Sequence, residues 1–280
     1  MTDKLEQTYP VTDSARLEVS NIRGSTQVRA GQDGLIHIEA LKIAGSGDES
    51  RTEIQISQES DGMVRVKTHF PDAPLGWLSG SKPCKVEYVI TAPRSCSLKI
   101  SGVSNDAWVE GFDGQCNLHS VSGDLEMKNL SGDLSASVVS GNMRLEAVTG
   151  TLKLNSVSGD ITSKGLNGAL DLHSVSGDVD LDESQLASIE ASLTSGNVKA
   201  ETSLAGGPYR FHSVSGDVRL TLPPDTRCTA ELHSVSGGMR VNLPQTSSLH
   251  RNGRQVAEIA GGGVMVYVNS VSGGLSIQAQ

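Results

Sequence analysis

The sequence predicts an all-β fold: a single-chain parallel β-solenoid of about 18–21 residues per coil, with a small antiparallel β cap near the N-terminus. Three observations carry this. Glycines fall every nine residues at 123, 132, 141, 150, 159, 168 and 177. Between them, two alternating apolar residues recur, as in Leu125/Met127, Met143/Leu145, Leu152/Leu154 and Leu170/Leu172. The phrase S-V-S-G or a close variant returns every eighteen residues, at 120, 138, 156 and 174, with "NLSG", "AVTG" and "GLNG" between.

Each observation has a structural meaning. Alternation of two apolar residues is the period-2 mark of a strand with one buried face. A third apolar residue three places later, followed by Gly, cannot continue that alternation, so the chain turns a corner where glycine tolerates a positive φ. Two unlike nine-residue units therefore make one coil. Residues eighteen apart then lie above one another at about 4.8 Å, in aliphatic columns. The third apolar position of each unit (Leu130, Val139, Val148, Val157, Leu166, Val175) is expected to join the interior.

Taken in order, residues 1–100 hold a first coil, "RLEVSNIRG", and the antiparallel cap. Within the cap, "RTEIQIS" and "MVRVKTH" alternate strictly and flank Asp61-Gly62, a hairpin signal. "KVEYVIT" and "SLKIS" read as further strands, separated from the hairpin by the loop "FPDAPLGWLSGSKPC". Trp108, in "DAWVEGF", is expected beneath the cap. Residues 101–280 form the parallel solenoid, continuous with the first part as one domain. Beyond residue 181 the motif recurs at longer intervals, and "LPQTSSLHRNGRQVAEIAGGG", near 243–262, reads as a corner insert forming a loop or hairpin.

Composition limits the function classes. The net charge of −9 comes without any Lys/Arg run, which argues against nucleic acid and anionic membranes as partners. "MTDKLEQTYP" has no apolar signal core, and no apolar run approaches the ~20 residues of a spanning helix, so no membrane insertion is expected. Four scattered cysteines read as free thiols in a reducing compartment. The sequence as written is that of a cytoplasmic protein, with envelope association only through partners.

Candidate functional residues divide into repeated and unrepeated ones. His119, His173, His212 and His233 stand four places before the motif glycine, where other copies carry Ser or Asn. The shared ability of His, Asn and Ser is hydrogen bonding to a turn or the next rung. His212 and His233 are the two that could sit as vertical neighbours and share a metal ion. The aspartates after glycine invite a calcium reading, but the extra glycines of calcium-binding nonapeptides are missing, and turn capping explains them. Gly123, Gly141, Gly159, Gly177, Gly196, Gly216, Gly237 and Gly273 form the expected turn ladder. The serines recur in every coil, whereas a catalytic nucleophile occurs once, and Asp180, Asp182 and Glu183 have no aromatic platform for a sugar beside them. No catalytic residue, metal or cofactor is expected. Trp77, Leu78, Leu249 and Arg251 are the candidates for contact with an unknown protein or glycan partner. The last rung, "GGLSIQAQ", offers an open strand edge, which either the late insert covers or another copy does by associating end to end.

"ARLEVSNIRGSTQVRA", "VEYVITAPRSCSLKISGVSNDAWVEGFDG", the serial "SVSGD" units, "VRLTLPPDTRCTAELHSVSGG" and "GGGVMVYVNSVSGGLSI" together resemble the bacterial "putative-adhesin" family of β-strand-repeat proteins, a domain of unknown function, over about residues 11–277. The resemblance implies a parallel β-solenoid with links to the bacterial envelope, and it brings no catalytic residues. The expected function is a non-catalytic scaffold or binding module of adhesin-like or envelope-associated type. The alternatives are a self-assembling structural protein joined through terminal rungs and, behind it, a carbohydrate-active β-helix enzyme.

Overall fold

A computed structural model describes residues 3–12, 14–71, 82–251 and 253–280. Trp77 and Leu78 lie outside the described residues. All regular structure among the described residues is β-strand, so no helix there is long and apolar enough to cross a membrane. The chain divides into two compact units, Met1–Gly141 and Asn142–Gln280.

The first unit opens with antiparallel strands and continues with parallel ones. Glu53–Gln58 and Val64–His69 form the expected hairpin, with Ile56 opposite Val66. Leu35–Lys42 pairs antiparallel with both Asp3–Pro10 and Val86–Ala92. From there the pairing turns parallel: Arg16–Ala30 lies against Val64–His69 at one end and Val86–Ala92 at the other, then against Ser97–Glu110 along its length. The strand Asp3–Pro10, whose alternation is masked by polar residues on both faces, lies ahead of the first coil that the sequence revealed. Ser97–Glu110 carries the pattern on to Cys116–Ser122 and Leu125–Ser131, and Cys116–Ser122 to Leu134–Ser140.

The first unit also holds a buried polar network. Asn21 donates to the Val86 carbonyl (2.9 Å) and to Asn105 Oδ1 (2.8 Å), and accepts from Thr68 Oγ1 (3.0 Å). Thr26 donates to the same Asn105 oxygen (3.1 Å), and Thr68 also meets the Tyr88 hydroxyl at 2.7 Å. All five side chains are buried. Satisfied networks of this kind fix one arrangement of a core, because each alternative strands a polar group.

In the second unit, parallel ladders place residues eighteen apart opposite each other. Met143 pairs with Ile161 and Ile161 with Val179; on the facing wall, Leu152 pairs with Leu170 and Leu154 with Leu172. These residues are buried, so the columns are continuous apolar stacks. Later coils run longer and admit rings: Ala191 is followed by Phe211, and Ile189 by Tyr209.

The two kinds of corner differ. Where "NLSG" or "AVTG" turns, Asn129, Ala147, Gly165 and Glu183 take positive φ values of 52°, 52°, 70° and 50°. This twist swings Leu130, Val148 and Leu166 into the core. At S-V-S-G, Ser120, Val138, Ser156 and Ser174 take the buried place by simple alternation. The following residues, Val121, Val139, Val157 and Val175, then point outward, 39–49% exposed. The expectation that Val139, Val157 and Val175 join the interior is therefore corrected: the residue before each one sits there instead.

The end of the chain is also not where the sequence suggested. Val264–Ser272 pairs parallel with Tyr209–Ser215 on one side and Cys228–Ser236 on the other. Leu275–Ala279 likewise lies between Val218–Leu222 and Met239–Val241. The last coil is intercalated between two earlier ones, so it offers no open edge. Gln245–Arg251 and Arg254–Ile259 form an antiparallel hairpin, as expected of the insert. Its second strand covers the outer edge of Cys228–Ser236.

Candidate functional site: an outward face over the intercalated strand

Most of the repeated groups are spent on joining coil to coil. A Cβ on Gly177 would fall 2.2 Å from the carbonyl oxygen of Gly159, and one on Gly196 2.1 Å from that of Gly177. The column continues through Gly216, Gly273 and Gly237, in that order, each with about the same clearance (2.0–2.1 Å). Gly123 and Gly141 hold the equivalent positions in the first unit, at 2.4 and 2.3 Å from the neighbouring carbonyl. No side chain fits there, because the backbones of successive coils touch.

Beside the glycines runs a ladder of carboxylate and amide oxygens. Asn142 Oδ1 accepts from the Asp160 amide (3.0 Å), Asp160 from Asp178 (2.9 Å), and Asp178 from Asn197 (2.8 Å). Asn197 then accepts from Asp217 (3.0 Å), and Asp217 from Gly274 (2.8 Å). The aspartates therefore cap the next coil rather than their own turn. Each acceptor is committed to a backbone N–H, a strong charge-assisted pairing where the acceptor is Asp. The described residues contain no group of three or more His, Cys, Asp or Glu able to hold a metal.

The histidines are outward-facing. Intercalation separates His212 from His233: each pairs in register with Asn269, so two rungs, roughly 9.6 Å, lie between their backbones. They are not vertical neighbours. Three of them face carboxylates: His173 Nε2 lies 3.1 Å from Asp171 Oδ1, His233 Nε2 2.7 Å from Glu231 Oε1, and His212 Nε2 3.8 Å from Glu190 Oε1. The acids Asp180 and Asp182 are bridged by Lys199 at 3.0 Å each, and Glu183 meets Lys164 at 3.0 Å. Trp108 faces outward, half-buried under the Arg29 guanidinium at 4.1 Å, because its neighbours Ala107 and Val109 take the core. Leu249 is 58% exposed on the hairpin; of Arg251 the backbone place in that strand is defined.

Two rows of polar side chains, one unrepeated and one from the repeat, meet on one face of the second unit. Register puts Glu190, Arg210, Tyr267 and Glu231 side by side across four strands, with Ser192, His212, Asn269 and His233 as the next row. Arg210, His212, Tyr267, Asn269 and His233 line an open concavity of about 560 Å³. At one flank Arg210 meets Glu190 (3.4 Å). At the other, Arg254 grips Glu231 through an ion pair (Nε–Oε1 2.6 Å) and a hydrogen bond from Nη2 to Oε2 (2.9 Å). The Arg254 guanidinium holds the Glu231 carboxyl below the ordinary carboxylate range against the opposing effect of burial, and His233 adds to it. Tyr267 supplies the aromatic ring that the sequence offered no reason to place here, since it arrives on the intercalated strand.

All four cysteines are free and buried, and three are held as thiols. Burial pushes Cys96 and Cys116 up to about 12 and Cys228 to about 11, with the neighbouring Cys116 adding to the effect on Cys96. A thiol that stays protonated is a poor nucleophile.

The fold is shared with known structures. A crystal structure of a "putative lipid binding protein" from Parabacteroides distasonis is similar at 10% identity, with a TM-score of 0.54 covering 99% of this chain and 97% of that one. A "putative adhesin" from the same species is similar at 11% identity, with a TM-score of 0.51 and coverage of 99% and 97%. No curated protein matches the chain. The family model described as Toastrack DUF4097 matches residues 14–278, and the chain belongs to that family.

Proposed function

We propose that the protein is a non-catalytic β-solenoid binding module of adhesin-like, envelope-associated type, which engages its ligand through the face around Tyr267. The observation that carries this reading is the division of labour among side chains. Gly and Asp of the repeat are consumed by contacts between coils, while Arg210 and Tyr267 stand open in a concavity beside the His212, Asn269 and His233 row. Two solved structures of the same fold, described as a "putative adhesin" and a "putative lipid binding protein", support a binding role of this general kind. The acids nearest to a catalytic arrangement, Asp180 and Asp182, share one lysine on the opposite wall and have no concavity with an aromatic ring.

The test pairs retention with turnover. Purified protein is incubated with bacterial envelope fractions, and soluble reducing ends are measured in the same samples. Saturable retention without product is expected. Product release that Asp180→Asn or Asp182→Asn abolishes would make the protein an enzyme and end this reading.

A further inference from the structure

In a repeat protein, a residue present in every coil serves the coil, so a departure from the column is informative. The outward column two places before the histidines reads Lys153, Asp171, Glu190, Arg210, Tyr267 and Glu231 down the second unit. Tyr267 is its one aromatic member, 40% exposed.

Its surroundings decide what the ring can take. Both flanking guanidiniums are matched by carboxylates, Arg210 by Glu190 and Arg254 by Glu231. The face therefore presents no surplus cation to an acidic ligand. What it does present is a ring, the Tyr267 hydroxyl and the Asn269 carboxamide, for neither of which a hydrogen bond is shown among the described residues. Asn269 lies two residues along the strand from Tyr267, roughly 6.7 Å away, with His212 and His233 one rung to either side of it, about 4.8 Å. A flat group stacked on the tyrosine would thus have a row of three polar side chains along one edge.

A pyranose matches this layout. Its C–H groups, each on an oxygen-bearing carbon, carry partial positive charge and suit the negative face of an aromatic ring. Its ring hydroxyls both donate and accept, which suits a carboxamide and imidazole nitrogens alike. We propose that this face binds a neutral pyranose unit of a glycan, stacked on Tyr267 and hydrogen-bonded by Asn269, His212 and His233. The proposal rests on the binding-module reading and names its ligand class.

The test uses the full chain and four probes: glucose, mannose and N-acetylglucosamine hexasaccharides, and a galacturonic acid hexasaccharide as the acidic comparison. Binding is followed by calorimetry, with melting curves confirming that each variant is folded. At least one neutral probe is expected to bind. Tyr267→Ala should weaken it about tenfold or more, and Tyr267→Phe much less, because the face of the ring is kept. Asn269→Ala should weaken it too, while Val175→Ser, on a distant corner, should leave it unchanged. Neutral binding indifferent to Tyr267→Ala, or a preference for the acidic probe, would overturn the proposal. If no saccharide binds but envelope retention persists, this proposal falls and the binding module stands. If retention is absent as well, both fall.

Discussion

The narrowest constraint acts on single residues at the corners. Gly177 combines a φ of 127° with a carbonyl oxygen 2.2 Å from where its Cβ would be, so Gly177→Ala must push two coils apart. A loss of about 2–4 kcal/mol is expected, read as a fall in the denaturant midpoint. Ala147 poses the opposite case: it holds a φ of 52° where the next coil uses Gly165 at 70°. Relief of left-handed strain outweighs the extra entropy of glycine in the unfolded chain, so Ala147→Gly should stabilise by roughly 0.5–1 kcal/mol. An unchanged or lower midpoint would mean that the corner is not strained. Glu231 sets a pH dependence. Its carboxyl is depressed in the folded state, chiefly by Arg254, so its contribution is present above the ordinary glutamate pKa of about 4.3 and drains away as pH falls through the lower folded value. Glu231→Gln should lower the melting temperature at pH 7 and remove part of the acid-side slope. A slope identical to that of the unmodified chain would discount the clamp.

At the scale of strands, the sequence showed what each element is and concealed where some of them go. Parity along a strand was legible: Leu152 and Leu154 face in because every second residue must. The same rule places Trp108 and Tyr267 outward, and it would have found both had it been applied to their strands. The corner valines were misread because the strand's alternation runs on unbroken into S-V-S-G, whose first residue is buried, and the corner twist expected there occurs only at the other kind of turn. The intercalated strand was hidden for a different reason. All copies of S-V-S-G carry nearly the same interlocking groups, so Gly273 fits between Gly216 and Gly237 as well as any other order would. Only the gap of 36 residues between the last two motifs hinted at a detour. The consequence is measurable by hydrogen exchange. Amides of Val266–Ser270 and Leu275–Ile277, paired on both sides, should exchange as slowly as those of Tyr209–Ser215. Fast exchange, as from a fraying terminal edge, would contradict the intercalation.

For the chain as a whole, regular stacking explains an unusual composition. With aromatics at only 3%, the core relies on aliphatic columns such as Met143–Ile161–Val179, repeated at every rung. Such a core is modular: each coil buries its apolar pairs against the coils on either side and nothing else. A coil should therefore be removable if the deletion respects the period. The most direct measurement compares the melting curves of two deletions in the second unit. Removing residues 160–177 takes out one full lap and joins Gly159 to Asp178, bringing Val179 beneath Met143. Removing residues 160–168 takes out half a lap and exchanges the two walls, with their unlike corners. The first variant should unfold cooperatively within several degrees of the unmodified chain, and the second should lose its transition. Equal damage from both deletions, or greater damage from the first, would show that coils eighteen residues long are not the unit of this structure.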